Sequence, residues 1–384
     1  MAVVLLDPLP PESTASPKPA PPPESEIAVI VCNGMEFGDW ETVMVQHTWG
    51  EPSAKFEFSA AEREDPVPTL WSKLKIKPGD IVNITLAGQV AITSGIVVTR
   101  QVAYDANQHA IQLQGYSQPW VAARSSVDVP QGNFDGQSFL QIAQKCLAKH
   151  PVGIKVIGSI DQTPFQNCQN EKGETNWEFL ERIARPRGIV LAGDHLNNFL
   201  IIGEHAYPVS SSVIESVNIL KCQCVISIEN LYASYGVSSQ APASDSQNGT
   251  AASEQEKHVS GSGPGNYLSP STFPVHDLSE VLKAANNEAR WAEGTLVQAT
   301  ITVQGWLRPG TGDLWRVGDN VHVYSPMAIL DQTLKIKTVT YTQDNSASGT
   351  LAELHLVDPR WLGDQAYGLS VPTNMPPASR EVEF

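Results

Sequence analysis

Hydrophobic and polar residues alternate in four successive runs toward the C-terminus, TLVQATITVQGW, VGDNVHVYSP, LKIKTVTYTQ and TLAELHLVDP. Alternation with period two buries one face of a strand, and the intervening LRPGTGD and DNSASGT carry turn residues. The pattern predicts a small, strongly bent antiparallel sheet or barrel over residues 294–359. Its rhythm occurs twice. Residues 77–88, KPGDIVNITLAG, and 317–327, VGDNVHVYSPM, each set Gly-Asp ahead of an alternating strand. Two further strands follow each: AITSGIVVTRQVAYD and HAIQLQGYS in the first copy, LKIKTVTYTQD and TLAELHLVD in the second. Self-similarity at so long a separation predicts two related barrel domains rather than a short-period solenoid; chance likeness of two Gly-Asp hairpins is the competing explanation.

The remaining elements follow in order. Residues 1–26 hold eight prolines mixed with Ser and Glu, which predicts a disordered or extended arm. Residues 27–117 read as the first antiparallel β-barrel domain, with strands at 27–32, 40–47, 55–59, 81–86, 91–101 and 110–115. At 118–205 the period changes. A short strand at 125–129 precedes an amphipathic helix at 137–149, with Phe139, Ile142, Ala143 and Leu147 on one face. A strand at 154–157 leads to a second helix at about 175–187, where Thr175 and Glu178 have capping-box spacing. A hairpin formed by 188–191 and 198–202 completes an α+β domain. The second barrel domain combines 206–236 with 294–360. Between them, 237–293 is an insertion with a flexible loop at 238–265 and a helix at 277–290, where Asp277 and Glu280 form a capping box. Residues 361–384 read as an extended tail. The expected fold class is therefore mainly β with α+β parts.

Composition narrows the chemistry. With 25 Lys+Arg against 41 Asp+Glu and no basic run, the chain lacks the clustered cations of a sequence-specific nucleic-acid binder. Cys32, Cys146, Cys168, Cys222 and Cys224 are odd in number and scattered, so no disulfide framework is expected. Cys222 and Cys224 share one face of a predicted strand and read as core thiols, with a metal pair as the alternative. No apolar run is long enough for a membrane span, and MAVVLLDPLPP does not read as a signal peptide. No GxSxG, HExxH, CxxC, GxGxxG or complete P-loop occurs. No catalytic, cofactor-binding or metal site is assigned, and no enzyme activity is expected. Asp358 and Arg360 around Pro359 read as a turn-stabilising ion pair; Asp313 and Asp319 read as turn caps. The tryptophans lie at element margins. For Trp49 and Trp315, core plug and interface anchor stay equally open.

Several longer segments carry a family resemblance: NGMEFGDWETVMVQHTW, GYSQPWVAARSSVDV leading to NFDGQSFLQIAQKCLAKH, ETNWEFLERIARPRGIVLAGDHLNNFLIIG, and LKIKTVTYTQDNSASGTLAELHLVDP. In that order they resemble the baseplate hub protein of Mu-like contractile-tailed phages, related to the central hub of larger myophages. The resemblance spans residues 27–359. It implies a homotrimer whose paired barrels close a pseudo-sixfold ring, adapting a sixfold tail tube to a threefold central spike around an axial channel. Implied partners are tube or tube-initiator, spike and baseplate wedge proteins, with the genome passing through the channel. The implied location is the virion tail baseplate, assembled in the host cytoplasm. The competing readings are a tail-tip cell-wall hydrolase, which needs two carboxylates meeting in a cleft, and a carbohydrate-binding β module displaying surface tryptophans.

Overall fold

The computed structural model describes residues 26–38, 40–61, 74–104, 109–129, 132–166, 168–205, 208–239, 255–264, 281–344 and 349–362. The arm up to residue 25, the loop at 62–73, most of the 238–265 segment, the predicted caps Asp277 and Glu280, and the tail beyond 362 lie outside these residues.

The first strand-rich stretch forms β1 (Ala28–Cys32), β2 (Met35–Phe37), β3 (Thr42–Thr48), β4 (Lys55–Ala61), β5 (Ile81–Leu86), β6 (Gln89–Tyr104) and β7 (His109–Tyr116). Strand β2 occupies what the sequence reads as turn. It exists because Asn33 and Gly34, both at positive φ, fold the chain back so that Met35 pairs with Cys32. In β4 the alternation is complete: Phe56, Phe58 and Ala60 are buried while Lys55, Glu57 and Ser59 face outward.

An α+β unit follows. It contains α1 (Pro119–Arg124), α2 (Phe139–Leu147), β8 (Gly153–Ile157), α3 (Asn176–Ala184), β9 (Val190–Gly193) and β10 (Asn198–Ile202). Helix α1 is absent from the sequence expectation, whereas the expected strand at 125–129 contains only a single bridge, Ser126 to Thr175. Pro119 at the first helical position favours a turn of helix there. Both longer helices start at capping boxes, Ser138 with Gln141 and Thr175 with Glu178, and α3 ends in a 3-10 turn, Arg185–Arg187. The three helices share a core with the sheet β8-β10-β9, in which β8 runs parallel to β10.

The rest comprises β11 (Val209–Ile214), β12 (Lys221–Ile226), β13 (Ser234–Ser239), β14 (Gln255–Ser260), α4 (Val281–Gly294), β15 (Val297–Gln304), β16 (Asn320–Ser325), β17 (Leu330–Asp344) and β18 (Gly349–Val357). Part of the segment expected as loop is strand β14. It pairs with β13, and α4 packs on this hairpin through Val237, Val281 and Ala285. Strand β13 thus lies with the helix-bearing insertion rather than in the main sheet.

Thirteen strands form one sheet, ordered β12-β15-β18-β17-β3-β4-β7-β6-β5-β1-β2, with β11 and β16 branching from β17. Within it one arrangement appears twice. The order β5-β6-β7-β4-β3 has its counterpart in β16-β17-β18-β15-β12, antiparallel throughout. The likeness extends to single residues. In the first set the Gly79 N–H donates to Val97 O (2.8 Å) and the Val97 N–H to Asp80 O (3.1 Å); in the second, Gly318 donates to Ile336 O (2.8 Å) and Ile336 to Asp319 O (2.9 Å). Just beyond, the register between β6 and β7 shifts at Val97/Thr99, and that between β17 and β18 at Ile336/Thr338. These bulges mark where each long strand leaves its first partner on one edge: β6 leaves β5, and β17 passes from β16 to β3. The two Gly-Asp turns are therefore structural counterparts. The sets do not stand apart, however. They join through β3 and β17, and a single hydrophobic core underlies both.

Candidate assembly surface

Eight consecutive strands, β12-β15-β18-β17-β3-β4-β7-β6, present one polar face and one apolar face. Strand alternation assigns each side chain. The apolar face carries Val297, Ala299 and Ile301 of β15, Leu354 and Leu356 of β18, Val339 and Tyr341 of β17, Val43 and Val45 of β3, Phe56 and Phe58 of β4, and Leu113 of β7, all buried. Thr and Gln dominate the opposite face. Along its ladders Thr300 and His355 lead to Thr338 and Thr48; Gln304 and Leu351 lead to Thr342, Met44, Glu57 and Gln114. Gln112 and Gln114 donate through Nε2 to Glu57, fixing that carboxylate within the sheet surface.

The joint between the two strand sets is well packed. Thr338–Asp344 of β17 pairs with Thr42–Thr48 of β3. On the polar side Gln46 Nε2 donates to Thr340 Oγ1 (3.1 Å). On the apolar side Tyr341 donates its hydroxyl proton to the Trp315 carbonyl, and His47 meets the Tyr341 ring edge-on at 6.5 Å between centroids. Burial and the neighbouring Arg316 and His195 push the His47 pKa down to about 3, so the imidazole is neutral. Burial likewise raises the Tyr341 hydroxyl well above its ordinary value. A second set of contacts runs beside this joint: Gln89 Nε2 donates to Gly312 O (2.6 Å), Arg316 donates to Val90 O (2.9 Å), and Leu314 donates to Gln89 Oε1 (3.2 Å).

The residues singled out from sequence separate here. Trp315 is fully buried and Trp49 nearly so, which makes both core residues within the chain. Trp49 lies against Gly318, beneath the Lys335 ammonium at 4.6 Å, and joins the α+β sheet to the main sheet through Ala192, Leu200 and Val357. Arg360 and Asp358 form the expected ion pair (2.8 Å), extended by Glu293 at 2.9 Å. Asp319 pairs with Arg308 at 2.9 Å. Cys222 and Cys224 are not core thiols. They sit on β12, which has β15 on one side and no strand on the other among the described residues, so Cys222 is exposed and Cys224 half-buried. The packed β3–β17 joint was not anticipated from sequence, because its partners lie 294 residues apart at the Gln46–Thr340 contact and nothing local marks them.

Among the described residues no group of three or more His, Cys, Asp or Glu side chains is placed to hold a metal. Two shallow depressions are lined by Gln137, Gln141 and Lys145 in one case, and by Thr302, Thr340 and Glu353 in the other. These are amides, hydroxyls and single charges rather than the paired carboxylates of glycan hydrolysis. Among the described residues no helix is long and apolar enough to cross a membrane.

Comparison with known proteins agrees with this architecture. Residues 26–117 match the N-terminal domain of the Mu phage baseplate assembly protein GpP-like family, 123–202 the second domain of the gp44-like baseplate hub proteins, and 282–362 the fourth domain of Mu phage baseplate assembly protein GpP. The fold is similar to the 43 kDa tail protein of prophage MuSo2 from Shewanella oneidensis (TM-score 0.75, 23% identity, 88% of this chain and 99% of that one). It is also similar to a tail protein from Neisseria meningitidis MC58 (0.71, 19%, 88% and 99%) and to a type VI secretion system component from E. coli (0.54, 10%, 86% and 76%). No curated protein sequence matches. Matched in chain order by first-, second- and fourth-domain models, this chain belongs with the baseplate hub proteins of Mu-like phages and is a hub-like structural component of a phage-type tail.

Proposed function

We propose that the protein is the baseplate hub itself: a homotrimeric ring that adapts a sixfold tail tube to a threefold central spike and encloses the axial channel. The observation that carries this reading is the twofold occurrence of one five-strand order, down to the Gly-Asp turn and the bulge that follows it. Two like units per chain, taken three times, offer six near-equivalent positions to one neighbour while the trimer offers three to the other. In the ring, 27–117 forms one barrel-like unit, and 206–236 with 294–360 forms the other. The α+β unit at 118–205 and the insertion at 237–293 lie outside them, toward wedge and spike proteins. The polar Thr/Gln face lines the channel through which the genome passes. The role is structural, without catalysis, and the ring assembles in the host cytoplasm before entering the virion tail.

Mass measurement of the purified full chain, combined with negative-stain imaging, tests the reading. A trimeric mass and a threefold ring with an open axis are expected. A monomer that stays compact at micromolar concentration refutes it.

A further inference from the structure

A buried carboxylate stands without a counter-charge at a further contact between the two strand sets. Glu26, just ahead of β1, is 5% exposed. Its Oε1 accepts the Trp306 N–H (3.1 Å), and its carbonyl accepts from Gln343 Nε2 of β17 (3.4 Å). Residue 26 thereby ties the start of the first strand set to the turn that leaves β15 of the second. Gly305 makes room for it: its φ is +77°, and a Cβ there would lie 2.8 Å from Oε1 and 3.3 Å from Oε2. The Oε2 oxygen is buried and has no hydrogen-bond partner. No Lys, Arg or His among the described residues pairs with this carboxylate. Two more oxygens in the same corner are buried and unpartnered, Gln304 Oε1 and Thr350 Oγ1. Their residues are linked, because the Gly305 N–H and Gln304 Nε2 both donate to the Thr350 carbonyl (2.9 and 3.2 Å), and Thr350 is the register partner of Gln343. The neighbouring indole Nε1–H of Trp306 is already committed to Thr342 O (3.1 Å).

We propose that this niche binds one dehydrated alkali cation, sodium or potassium, through Glu26, Gln304 and Thr350. The donor set selects the class of ion. A carboxylate, an amide oxygen and a hydroxyl are hard ligands, which suit alkali and alkaline-earth ions rather than soft or borderline metals. Charge then selects within the class. One carboxylate among neutral oxygens cancels a single positive charge, whereas calcium would leave a net charge buried. Magnesium is disfavoured further, because it keeps several waters in a strict octahedron. A trapped water would satisfy the same hydrogen bonds but leave the carboxylate unbalanced. The bound ion is a staple within one chain, independent of the ring: it fastens residue 26 to residues 304 and 350, and so holds the two strand sets together at a point besides β3 and β17.

Thermal unfolding of the full chain in NaCl, KCl or tetramethylammonium chloride, at one ionic strength, tests the site; tetramethylammonium is too large to enter. At ten times its dissociation constant, an ion bound only by the folded chain raises the folded-to-unfolded ratio about elevenfold. For a chain of this length that is a Tm shift of about 2 °C. Wild type should gain this much from at least one alkali salt over tetramethylammonium, and the larger gain identifies the preferred ion. Glu26→Gln keeps the acceptor for Trp306 and brings an amide that can donate to Gln304 Oε1 and Thr350 Oγ1. It should therefore melt no lower than wild type in tetramethylammonium and gain nothing from sodium or potassium. Thr350→Val, one ligand short, should raise the half-saturating salt concentration about tenfold. Crystals soaked in thallium(I), an alkali-ion surrogate, should show an anomalous peak in contact with Glu26. Equal wild-type Tm in the three salts, the same salt response in Glu26→Gln, or a response to calcium alone overturns the proposal.

Discussion

Acidification should weaken this protein through one histidine at the internal joint. His47 is buried in β3; a ring N–H donates to the Ala91 carbonyl, and Nε2 finds no partner among the described residues. Protonation would place a cation there with Arg316 nearby, so the folded-state pKa is held down at about 3, against about 6.5 for an unperturbed histidine. The sign follows from proton counting. Above pH 6.5 neither state binds the proton, and His47 contributes no pH dependence. Between 6.5 and about 3 the unfolded chain binds more protons than the folded one, so stability falls as pH falls. At pH 5 the imbalance amounts to about 2 kcal/mol relative to pH 8. His195, whose pKa burial lowers to about 4, acts in the same direction. The discriminating measurement is therefore a difference: urea unfolding of wild type and His47→Gln at pH 8 and pH 5, at one fixed protein concentration. Glutamine costs stability at pH 8 but cannot titrate. The wild-type advantage should then shrink by about 2 kcal/mol on going to pH 5. Parallel loss in both proteins, or an NMR titration placing His47 near 6.5, would refute the reasoning.

Three further outcomes follow from packing. Gly79 and Gly318 occupy counterpart turns at φ +93° and +85°, but only at Gly318 would a Cβ run into the Trp49 ring. Gly79→Ala should cost about 1–2 kcal/mol of backbone strain, and Gly318→Ala about 1–3 kcal/mol more; equal urea midpoints for the two would contradict their environments. Tyr341→Phe leaves the buried Trp315 carbonyl without its donor and should cost about 1–3 kcal/mol, read as a lowered midpoint at unchanged m-value. Thr175→Ala removes the side-chain acceptor at the start of α3 and should cost about 1 kcal/mol, with the loss of amide exchange protection concentrated in that helix.

Much of the fold was legible because its signals are local. The alternation of KFEFSAA and VQATITVQ reports one buried face, and the Thr175–Glu178 spacing reports a helix start whichever neighbour the helix later meets. The duplication was legible for the same reason: Gly-Asp before an alternating strand is a turn signal written in contiguous residues. What escaped depends on distant partners or on short elements. Helix α1 has too few residues to show a period. Strand β14, QEKHVS, holds a single apolar residue and becomes a strand only by pairing with β13. Cys222 and Cys224 show why alternation alone misleads. Their side chains point to the core side, as pairing with Ile301 and Ala299 requires, yet burial needs a neighbour on both edges and β12 has one among the described residues. Periodicity tells which face of a strand is apolar; it does not tell what stands beside it.

Charge placement connects the sheet to the channel it is proposed to line. The chain carries a formal charge of −16, and a channel wall sharing that excess would repel a polyanion. A wall rich in lysine or arginine would instead hold nucleic acid through phosphate contacts. The ladder positions of the polar face do neither. They offer Lys55 and Lys221 against Glu57, Glu353 and Asp344, among many hydroxyls and amides, and Gln112 and Gln114 hold the Glu57 carboxylate in hydrogen bonds. Neutral donors and acceptors exchange with water at little net free energy, so a passing chain of phosphates meets no deep well along such a wall. The acidic excess then resides on the remaining surfaces. The same Thr and Gln residues that satisfy strand alternation therefore give a surface suited to passage rather than to capture.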